Sequence, residues 1–475
     1  MRRADTSQAI IRSVRQDMKR REFLLGSGAA VSALGLGGFA LASGPQELVV
    51  QPARFALREQ VTNGMVSLSA DAPPPALYGK QGEVMRLPVR NTLPAYTSMH
   101  WHGLRIPNDM DGVPYLTQMP IGEGETFDYA FTPPDAGTYW YHPHCMTMEQ
   151  MAHGLTGIMV IAEAEDPGFD SEQIINLRDF RLDDADAFLP AYTPRGAARA
   201  GTFGNVHTVN WLQAPVYDHT AGGLVRLRVV NTDTTRIYKL NLDGAEARII
   251  AWDGHPVEIE VPMPSAQDPL LVGPGQRVDF AVKMPEREGQ TVNLMAKLPG
   301  QPLRAMAGLR SVGASVSRDM RELRPLPFNP VARPDLANAE VHEFVFGWTP
   351  EGGVPNNGFC GSLGYNFRSI NRLPWPGDAA QDVGPLATLE MGRSYVLRLR
   401  NESPNLHPIH LHGLAFVPIK SSLRTLPPLM TDTMLLLKDE VVEIALVADN
   451  PGDWAFHCHV IEHQKTGLTG FIRVV

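Results

Sequence analysis

The stretch Leu224-Val225-Arg226-Leu227-Arg228-Val229-Val230-Asn231 decides the fold, because its apolar residues alternate over a short segment that closes on an asparagine. Alternation with a period of two is the pattern of a β-strand, and asparagine favours the turn that follows. The same pattern occurs at 84–91 and at 395–401. A second strand follows each copy after a turn, at Gly124, Gly275 and Asp439. This repetition predicts an all-β chain of three Greek-key β-sandwich domains.

Length and composition agree with that architecture. A chain of 475 residues suggests about three domains. The 43 glycines and 40 prolines supply the many turns of an all-β fold. The segment 301–335 is rich in proline, arginine and alanine and lacks strand periodicity, so we expect it to be a linker. We therefore predict a leader at 1–42, domains at 43–166, 167–300 and 336–475, and a linker at 301–335.

Four His-x-His pairs carry the chemistry of the chain. They are His100/His102, His142/His144, His410/His412 and His457/His459. On a β-strand, residues i and i+2 point to the same face, so each pair can aim two imidazoles at one point. Eight imidazoles exceed the roughly four protein ligands that one ion takes. The pairs therefore predict a metal cluster between the N-terminal and C-terminal domains.

Cys458 lies inside the last pair and adds a second kind of site. If His457 and His459 face one side of a strand, Cys458 faces the other. Two further histidines lie close to it in sequence, since His407 precedes His410 by three residues and His463 follows Cys458 by five. Two imidazoles and a thiolate form the ligand set of a blue-copper electron-transfer centre.

These residues resemble the motifs of the multicopper oxidases, the family that includes laccases, cuprous oxidases and bilirubin oxidases. The matching segments lie at 100–103, 141–144, 407–413 and 457–468, in order and over nearly the whole chain after the leader. The resemblance implies three cupredoxin-like domains, the middle one without metal. It also implies four copper ions as cofactors and O2 as the electron acceptor.

The resemblance also implies a role for each motif residue. The type 1 copper ligands are then His407, Cys458 and His463. The type 2 ligands are His100 and His410. One type 3 copper takes His102, His142 and His459, and the other takes His144, His412 and His457. The remaining histidines are expected to be packing or surface residues: His153, His207, His219, His255 and His342.

Leu468 occupies the position where many family members have a weak axial methionine. Leucine cannot donate to copper, so we expect a three-coordinate type 1 site. The loss of an axial donor destabilises Cu(II) relative to Cu(I) and should raise the potential.

Reduction of O2 to water consumes protons, so an acid near the cluster is expected. Asp111 matches the family's acidic position after the first motif. The alternative for Asp111 is a turn residue before Gly112. Some bacterial members carry a second acid directly after the last type 1 histidine, where this chain has Gln464. We therefore expect proton delivery from that side only if Glu462 substitutes.

The donor is the least determined feature. A laccase-like oxidation of phenols or other aromatic donors is the first interpretation, and a metallo-oxidase of Cu(I) or Mn(II) in metal tolerance is the second. The chain lacks the methionine-rich insertion of cuprous oxidases and has Ser403 and Asn405 where they carry an acid and a methionine. A copper-free structural protein on the same scaffold is an alternative of another class. A copper nitrite reductase shares the domain type, but the number of histidine pairs argues against it.

The N-terminus predicts export. Lys19-Arg20-Arg21-Glu22-Phe23-Leu24-Leu25 resembles a twin-arginine signal, and an apolar stretch from Phe23 to Ala42 ends in an A-x-A cleavage pattern. We expect removal of this segment and a periplasmic protein without a membrane span.

Charge and cysteine content complete the interpretation. A formal net charge of −9 argues against nucleic acid as a partner. A monomer suffices, because three domains can supply the whole site. Of the three cysteines, Cys145 and Cys360 remain beside Cys458. We propose that they form a disulfide between the first and third domains; two free buried thiols are the alternative.

Overall fold

The computed structural model describes residues 47–475. The predicted export signal at 1–42 lies outside these residues. β-Strands are the main regular secondary structure of the described part of the chain, and they form six sheets. It contains no helix long and apolar enough to cross a membrane.

The first domain is a sandwich of two four-stranded sheets, ordered β2-β1-β4-β6 and β3-β8-β7-β5. Apolar side chains from both sheets form its core, including Val50, Val89 and Trp101. The strands are β1 (Leu48–Ala56), β2 (Val61–Ser67), β3 (Leu77–Lys80), β4 (Met85–Asn91), β5 (His100–His102), β6 (Thr126–Phe131), β7 (Gly137–His142) and β8 (Gly157–Ala162).

The second domain pairs a six-stranded sheet, β10-β9-β12-β17-β14-β15, with a five-stranded sheet, β11-β19-β18-β13-β16. Its core includes Leu227, Val229 and Phe280. The strands are β9 (Ser171–Phe180), β10 (Val206–Val209), β11 (Val216–Thr220), β12 (Leu224–Asn231), β13 (Tyr238–Asp243), β14 (Glu246–Trp252), β15 (His255–Pro256), β16 (Leu270–Val272), β17 (Arg277–Lys283), β18 (Thr291–Lys297) and β19 (Leu303–Val312).

The third domain has two five-stranded sheets, β21-β20-β23-β27-β25 and β22-β29-β28-β24-β26. Its core includes Leu397, Phe456 and Cys458. The strands are β20 (Glu340–Gly353), β21 (Asn366–Ile370), β22 (Ala387–Leu389), β23 (Ser394–Asn401), β24 (His407–Leu411), β25 (Val417–Ser421), β26 (Thr433–Leu436), β27 (Val441–Val447), β28 (Gly452–Cys458) and β29 (Thr469–Val474).

Helices in the described chain are short and lie in connections. The α-helices are α1 (Thr147–Ala152), α2 (Pro194–Ala197) and α3 (Ile461–Lys465). Single 3-10 turns cover Asn108–Met110, Met320–Glu322 and Gly358–Cys360.

The repeated strand predicted from sequence is the same element in all three domains. The strands β4, β12 and β23 each pair antiparallel with the predicted second strand, which is β6, β17 or β27. The closing asparagine has one function in each copy, because its side-chain amide donates to two backbone carbonyls of the following loops. Asn231 donates to Arg236 and Val272 at 2.8 Å each. Asn91 and Asn401 make the corresponding bonds. The prediction of three sandwich domains is confirmed.

The predicted linker at 301–335 is wrong over its first third. Residues 303–312 form β19, which lies inside the second domain's sheet between β18 and β11. A bulge at Met306 shifts the register with β18, and Ala307 and Gly308 are small residues. Both features hide the period of two that sequence analysis relies on. The rest of the predicted linker, from Gly313 to Asp335, contains one 3-10 turn and no strand.

A disulfide joins Cys145 of the first domain to Cys360 of the third, with their Cα atoms 4.5 Å apart. The Met146 amide also donates to the Cys360 carbonyl at 3.3 Å. The proposed pairing is therefore present in the structure. Cys145 directly follows a motif histidine, so the bond fastens that end of the first domain to the third.

Candidate metal centres

Strand pairing brings the His-x-His pairs together two by two. In the first domain His100 lies opposite His142 on β5 and β7. In the third domain His410 lies opposite His457 on β24 and β28. Neighbouring antiparallel strands hold opposed side chains about 5 Å apart, so four imidazoles from each domain reach one face.

The two faces meet, and the eight imidazoles form three groups, two of which share His102. Within each group the candidate ligand atoms all lie within 4.8 Å of one another, and every residue is buried. The groups are His100/His102/His410, His102/His142/His459 and His144/His412/His457. Each draws on both terminal domains. The predicted convergence of the pairs between these domains is confirmed.

The nitrogen atoms in these groups fit a metal cluster. The Nδ1 atoms of His100, His142 and His410 each lie 2.8–3.1 Å from a backbone carbonyl oxygen, namely that of Asp111, Pro143 or Asp432. Their Nε2 atoms are buried without a hydrogen-bond partner, as is Nδ1 of His102. Buried nitrogens without partners are costly, whereas bound metal ions would satisfy them all at once.

The electrostatic state of the imidazoles also suits metal binding. Burial, together with the neighbouring imidazoles, lowers the pKa of His142, His144 and His412 well below the ordinary value. The same causes lower the pKa of His457 to about 3. These four histidines are therefore neutral, which is the form that binds metal.

A separate group lies on the other face of β28. His407 Nδ1 lies 3.4 Å from Cys458 Sγ, which lies 3.6 Å from His463 Nδ1. The two Nδ1 atoms are 3.1 Å apart. Burial raises the pKa of the Cys458 thiol to about 12, so a cation is needed to stabilise the thiolate. The donor set is the predicted combination of two imidazoles and one sulfur.

Leu468 is fully buried beside this group. Its carbonyl accepts from the Cys458 amide at 3.0 Å, and its amide donates to the His463 carbonyl at 3.0 Å. Two of the three candidate ligands are thus tied to the backbone of a residue whose side chain has no donor atom.

Asp111 lies at the cluster. Its carboxylate oxygens are 2.8 Å from His412 Nδ1 and 3.2 Å from His100 Nδ1. The following residue, Gly112, has a φ of +81°, and a Cβ there would lie 1.8 Å from the Met99 carbonyl oxygen. The tight turn at Gly112 and the contact with the cluster therefore occur together, so the two interpretations of Asp111 are compatible.

The placement expected for Glu462 needs correction. Its carboxylate accepts hydrogen bonds from the Thr202 amide at 2.5 Å and the Thr202 hydroxyl at 2.6 Å, both in the second domain. No hydrogen bond joins it to a cluster histidine in the described chain. Gln464 instead lies near the cluster, with its Nε2 3.5 Å from His144 Nε2. Residues two apart on a helix point about 200° apart, so one side chain of α3 faces the cluster and the other faces away.

A second carboxylate at the cluster is one that sequence analysis missed. Asp432 Oδ1 lies 3.2 Å from His102 Nε2 and 3.3 Å from His410 Nδ1. Arg277 of the second domain binds the same carboxylate through both terminal nitrogens, with Nη2 2.7 Å from Oδ2 and Nη1 2.9 Å from Oδ1. Burial opposes ionisation, but Arg277 and the two histidines hold the pKa of Asp432 well below its usual range. Neither residue lies in a histidine motif, so no sequence signal marks them.

The other five histidines lie outside these groups. In the part of the chain that the structure describes, no metal-capable group includes His153, His207, His219, His255 or His342. None of these groups includes a residue of the second domain either.

Comparisons with known proteins agree with this geometry. Three family models described as multicopper oxidase match residues 49–166, 188–302 and 364–475. Multicopper oxidase MmcO of Mycobacterium tuberculosis is 30% identical, over 89% of this chain and 85% of its own. A multi-copper oxidase structure from Pseudomonas thermotolerans is 40% identical with a TM-score of 0.81, over 91% of this chain and 99% of its own. Laccase-1 of Fomitopsis schrenkii is 26% identical, over 83% and 80%.

Proposed function

Because this chain belongs to the multicopper oxidase family, we propose that it is a laccase-like oxidase of phenolic or aromatic donors. It takes electrons one at a time and passes them to O2, which is reduced to water. One observation carries the proposal: a two-imidazole, one-thiol group and an eight-imidazole cluster lie on opposite faces of one strand, β28.

We assign one copper ion to the group of two imidazoles and one thiol, and three copper ions to the eight-imidazole cluster. The type 1 ligands are His407, Cys458 and His463, and the type 2 ligands are His100 and His410. The type 3 ligands are His102, His142 and His459 for one ion, and His144, His412 and His457 for the other. When bound, copper supplies one-electron oxidation of the donor at the type 1 site and four-electron reduction of O2 at the cluster.

The chain itself supplies the connection between the two sites. Cys458 is bonded through its own peptide units to His457 and His459, which belong to two different groups of the cluster. An electron that reaches the Cys458 sulfur therefore has a covalent route to either type 3 position. Burial of every ligand keeps bulk water away from that route.

Two carboxylates position the cluster imidazoles. Asp111 accepts from His412 Nδ1, which leaves the opposite ring nitrogen free for metal. Asp432, whose carboxylate Arg277 holds, contacts His410 Nδ1 through its backbone carbonyl at 2.9 Å and through its carboxylate at 3.3 Å. We propose that Asp111 also hands protons to reduced oxygen, because it contacts imidazoles of two different groups.

The names of the relatives do not decide between an organic donor and a metal ion, since they include laccase and iron transport multicopper oxidase. Two features beside His407 favour an organic donor. First, Ser403 Oγ lies 2.6 Å from His407 Nε2. Second, Ser403 and Asn405 hold the positions at which an acid and a soft methionine would attract Cu(I).

We also propose export to the periplasm by the twin-arginine route, on the sequence at 19–25 alone. Cell fractionation of a chain with Arg20 and Arg21 replaced by lysine tests this, and periplasmic accumulation of that variant would contradict it. The boundaries at 43–166 and 336–475, and a monomeric state, remain part of the same proposal.

Absorption spectroscopy and oxygen uptake test the function. The copper-loaded protein should show an intense blue band and consume O2 with a phenol faster than with Cu(I) or Mn(II). Faster uptake with either metal ion would make the protein a metallo-oxidase. Bound copper without a blue band would leave only a scaffold function.

A further inference from the structure

Both imidazoles of the candidate type 1 site are closed off from solvent. His407, Cys458 and His463 are each 0% exposed. The outward nitrogen of His463, Nε2, lies 2.7 Å from the carbonyl oxygen of Arg199. The corresponding nitrogen of His407 lies against Ser403 Oγ at 2.6 Å. Neither ring offers a nitrogen atom to a molecule in solution.

The closure comes from the second domain. Residues 193–202, which we name the cover, include α2 and a turn at Gly201, whose φ of +101° is one that glycine adopts without strain. The outer side of the cover is exposed at Ala198, Arg199 and Ala200. Its inner side presents the Arg199 carbonyl to His463. A segment of a domain without metal ligands thus lies between the type 1 site and solvent.

The third domain fastens the cover at two further points. Arg368 is 0% exposed and donates from Nη2 to the carbonyls of Ala197 at 3.1 Å and Arg199 at 2.9 Å. Glu462 accepts from the amide and hydroxyl of Thr202. Charge-assisted hydrogen bonds in buried surroundings are the strong ones, so these contacts hold the cover closed.

The cover is also compact in itself. The Thr193 amide donates to Thr202 Oγ1 at 2.9 Å, which joins its two ends. The Gly196 amide donates to Thr193 Oγ1 at 3.0 Å and caps α2. A Cβ at Gly201 would lie 2.3 Å from Thr235 and 2.8 Å from Glu462, so there is no space beneath the turn.

We propose that the electron donor never touches a type 1 imidazole, and that electrons enter through the Arg199 peptide from a donor on the outer side of the cover. This inference rests on the proposed oxidase function and specifies its donor site. A phenolic donor loses one electron and releases its hydroxyl proton to solvent, and the electron crosses the hydrogen bond between the Arg199 carbonyl and His463 to the copper ion that His463 would hold. Donor choice then follows reduction potential rather than the shape of a binding pocket.

Chemical footprinting tests whether the cover shields His463. Diethyl pyrocarbonate modifies accessible imidazole nitrogens, and mass spectrometry locates the modified residues. In the copper-loaded full chain we expect His463 to stay unmodified while His153, whose side chain is partly exposed, reacts. Modification of His463 at a rate similar to that of His153 would overturn the proposal.

Two variants are designed to open the cover, and a third variant serves as a matched control. Replacing residues 194–200 by two glycines removes the Arg199 carbonyl, and the bond between Thr193 and Thr202 keeps the ends together. Should that variant fail to fold, Thr202→Val loosens the Glu462 contact instead. Arg195→Ala alters the same segment at an exposed side chain without uncovering His463. We expect His463 to become modified in the first two variants and to stay protected in the third.

Donor kinetics provide the second test. Two phenols matched in reduction potential, one with methyl and one with tert-butyl groups beside the hydroxyl, should reduce the blue centre at rates within about threefold in the unaltered protein. With the shortened cover, the smaller phenol should gain about tenfold over the larger. A strong preference for the smaller phenol in the unaltered protein would overturn the proposal.

The two proposals fail in different ways. A protein without a blue band or oxygen uptake contradicts the oxidase function, whatever the footprint shows. An active blue oxidase whose His463 is modified in the unaltered chain contradicts the cover alone.

Discussion

The carboxylate of Asp111 lies 2.8 Å from His412 Nδ1, although 301 residues separate the two in the chain. Both are buried, and the contact joins the first domain to the third. An imidazole whose Nδ1 proton is held by a carboxylate presents its other nitrogen to a metal in a fixed direction. The two domains therefore share a support of the cluster as well as the cluster itself.

Replacing Asp111 by asparagine tests this support. Loss of the charge should slow O2 consumption about 10- to 100-fold, because contacts that orient metal ligands typically contribute that much. The blue band and the anaerobic reduction of the type 1 centre should be retained, since Asp111 does not contact that group. Asp109→Asn, two residues away and exposed, is the control. Equal oxygen uptake by both variants would remove Asp111 from the mechanism.

Arg277 offers a test of the second domain's contribution. Its guanidinium is fully buried and holds Asp432 through two contacts. Arg277→Met leaves that carboxylate buried without its partner, which should lower the free energy of unfolding by about 3–5 kcal/mol. Denaturant unfolding measures the change. Arg310→Met in the same domain breaks an exposed pair with Asp218 and should have little effect. Similar losses in both variants would contradict the distinction.

Cys458→Ser separates the two metal sites. Serine removes the sulfur but leaves His457 and His459 in place, so the blue band should vanish while about three of four coppers remain bound. Metal analysis and paramagnetic resonance measure the two quantities. Loss of all copper would contradict the presence of two independent sites.

Leu468→Met tests the apolar axial position. A thioether donor stabilises Cu(II), so the type 1 potential should fall and the oxidation of high-potential phenols should slow. Redox titration of the blue band measures the shift. Leu468→Ile keeps a branched hydrocarbon there and should leave the potential close to that of the unaltered protein. An unchanged potential in the methionine variant would mean that Leu468 is not the axial residue.

His219 predicts a pH dependence of stability away from the metal sites. Burial lowers the pKa of His219 to about 4, and its Nδ1 lies 2.9 Å from Ser171 Oγ. The unfolded chain takes up this proton near pH 6.5. Stability is therefore complete above that pH and declines as the pH falls toward about 4. Between pH 7.5 and pH 4.5, His219→Gln should lose about 2 kcal/mol less than the unaltered protein. Equal losses in the two chains would contradict the assignment.

Features that depend on repeated sequence patterns were predicted from the sequence alone. The alternating strand ending in Asn91, Asn231 or Asn401 indicated three domains, because each copy depends on local rules of strand and turn. The His-x-His pairs indicated convergence, since a period of two fixes the face on which both rings lie. Strand β19 was not predicted, because its bulge and small residues interrupt the alternation of apolar and polar residues that indicates a strand.

The convergence of the histidine pairs and the Cys145–Cys360 disulfide between the terminal domains were predicted from the sequence. The contacts that the second domain makes with them were not. The sequence by itself determined the three sandwiches, the ligand types and the pairing of ligands on strands, because these follow from spacing within single elements. Only the tertiary structure decided that Glu462 contacts the cover, that Asp432 and Arg277 meet beside the histidine cluster, and that the Arg199 carbonyl lies against His463. Those residues owe their positions to packing between elements distant in sequence, and no local pattern records which distant residue a side chain meets.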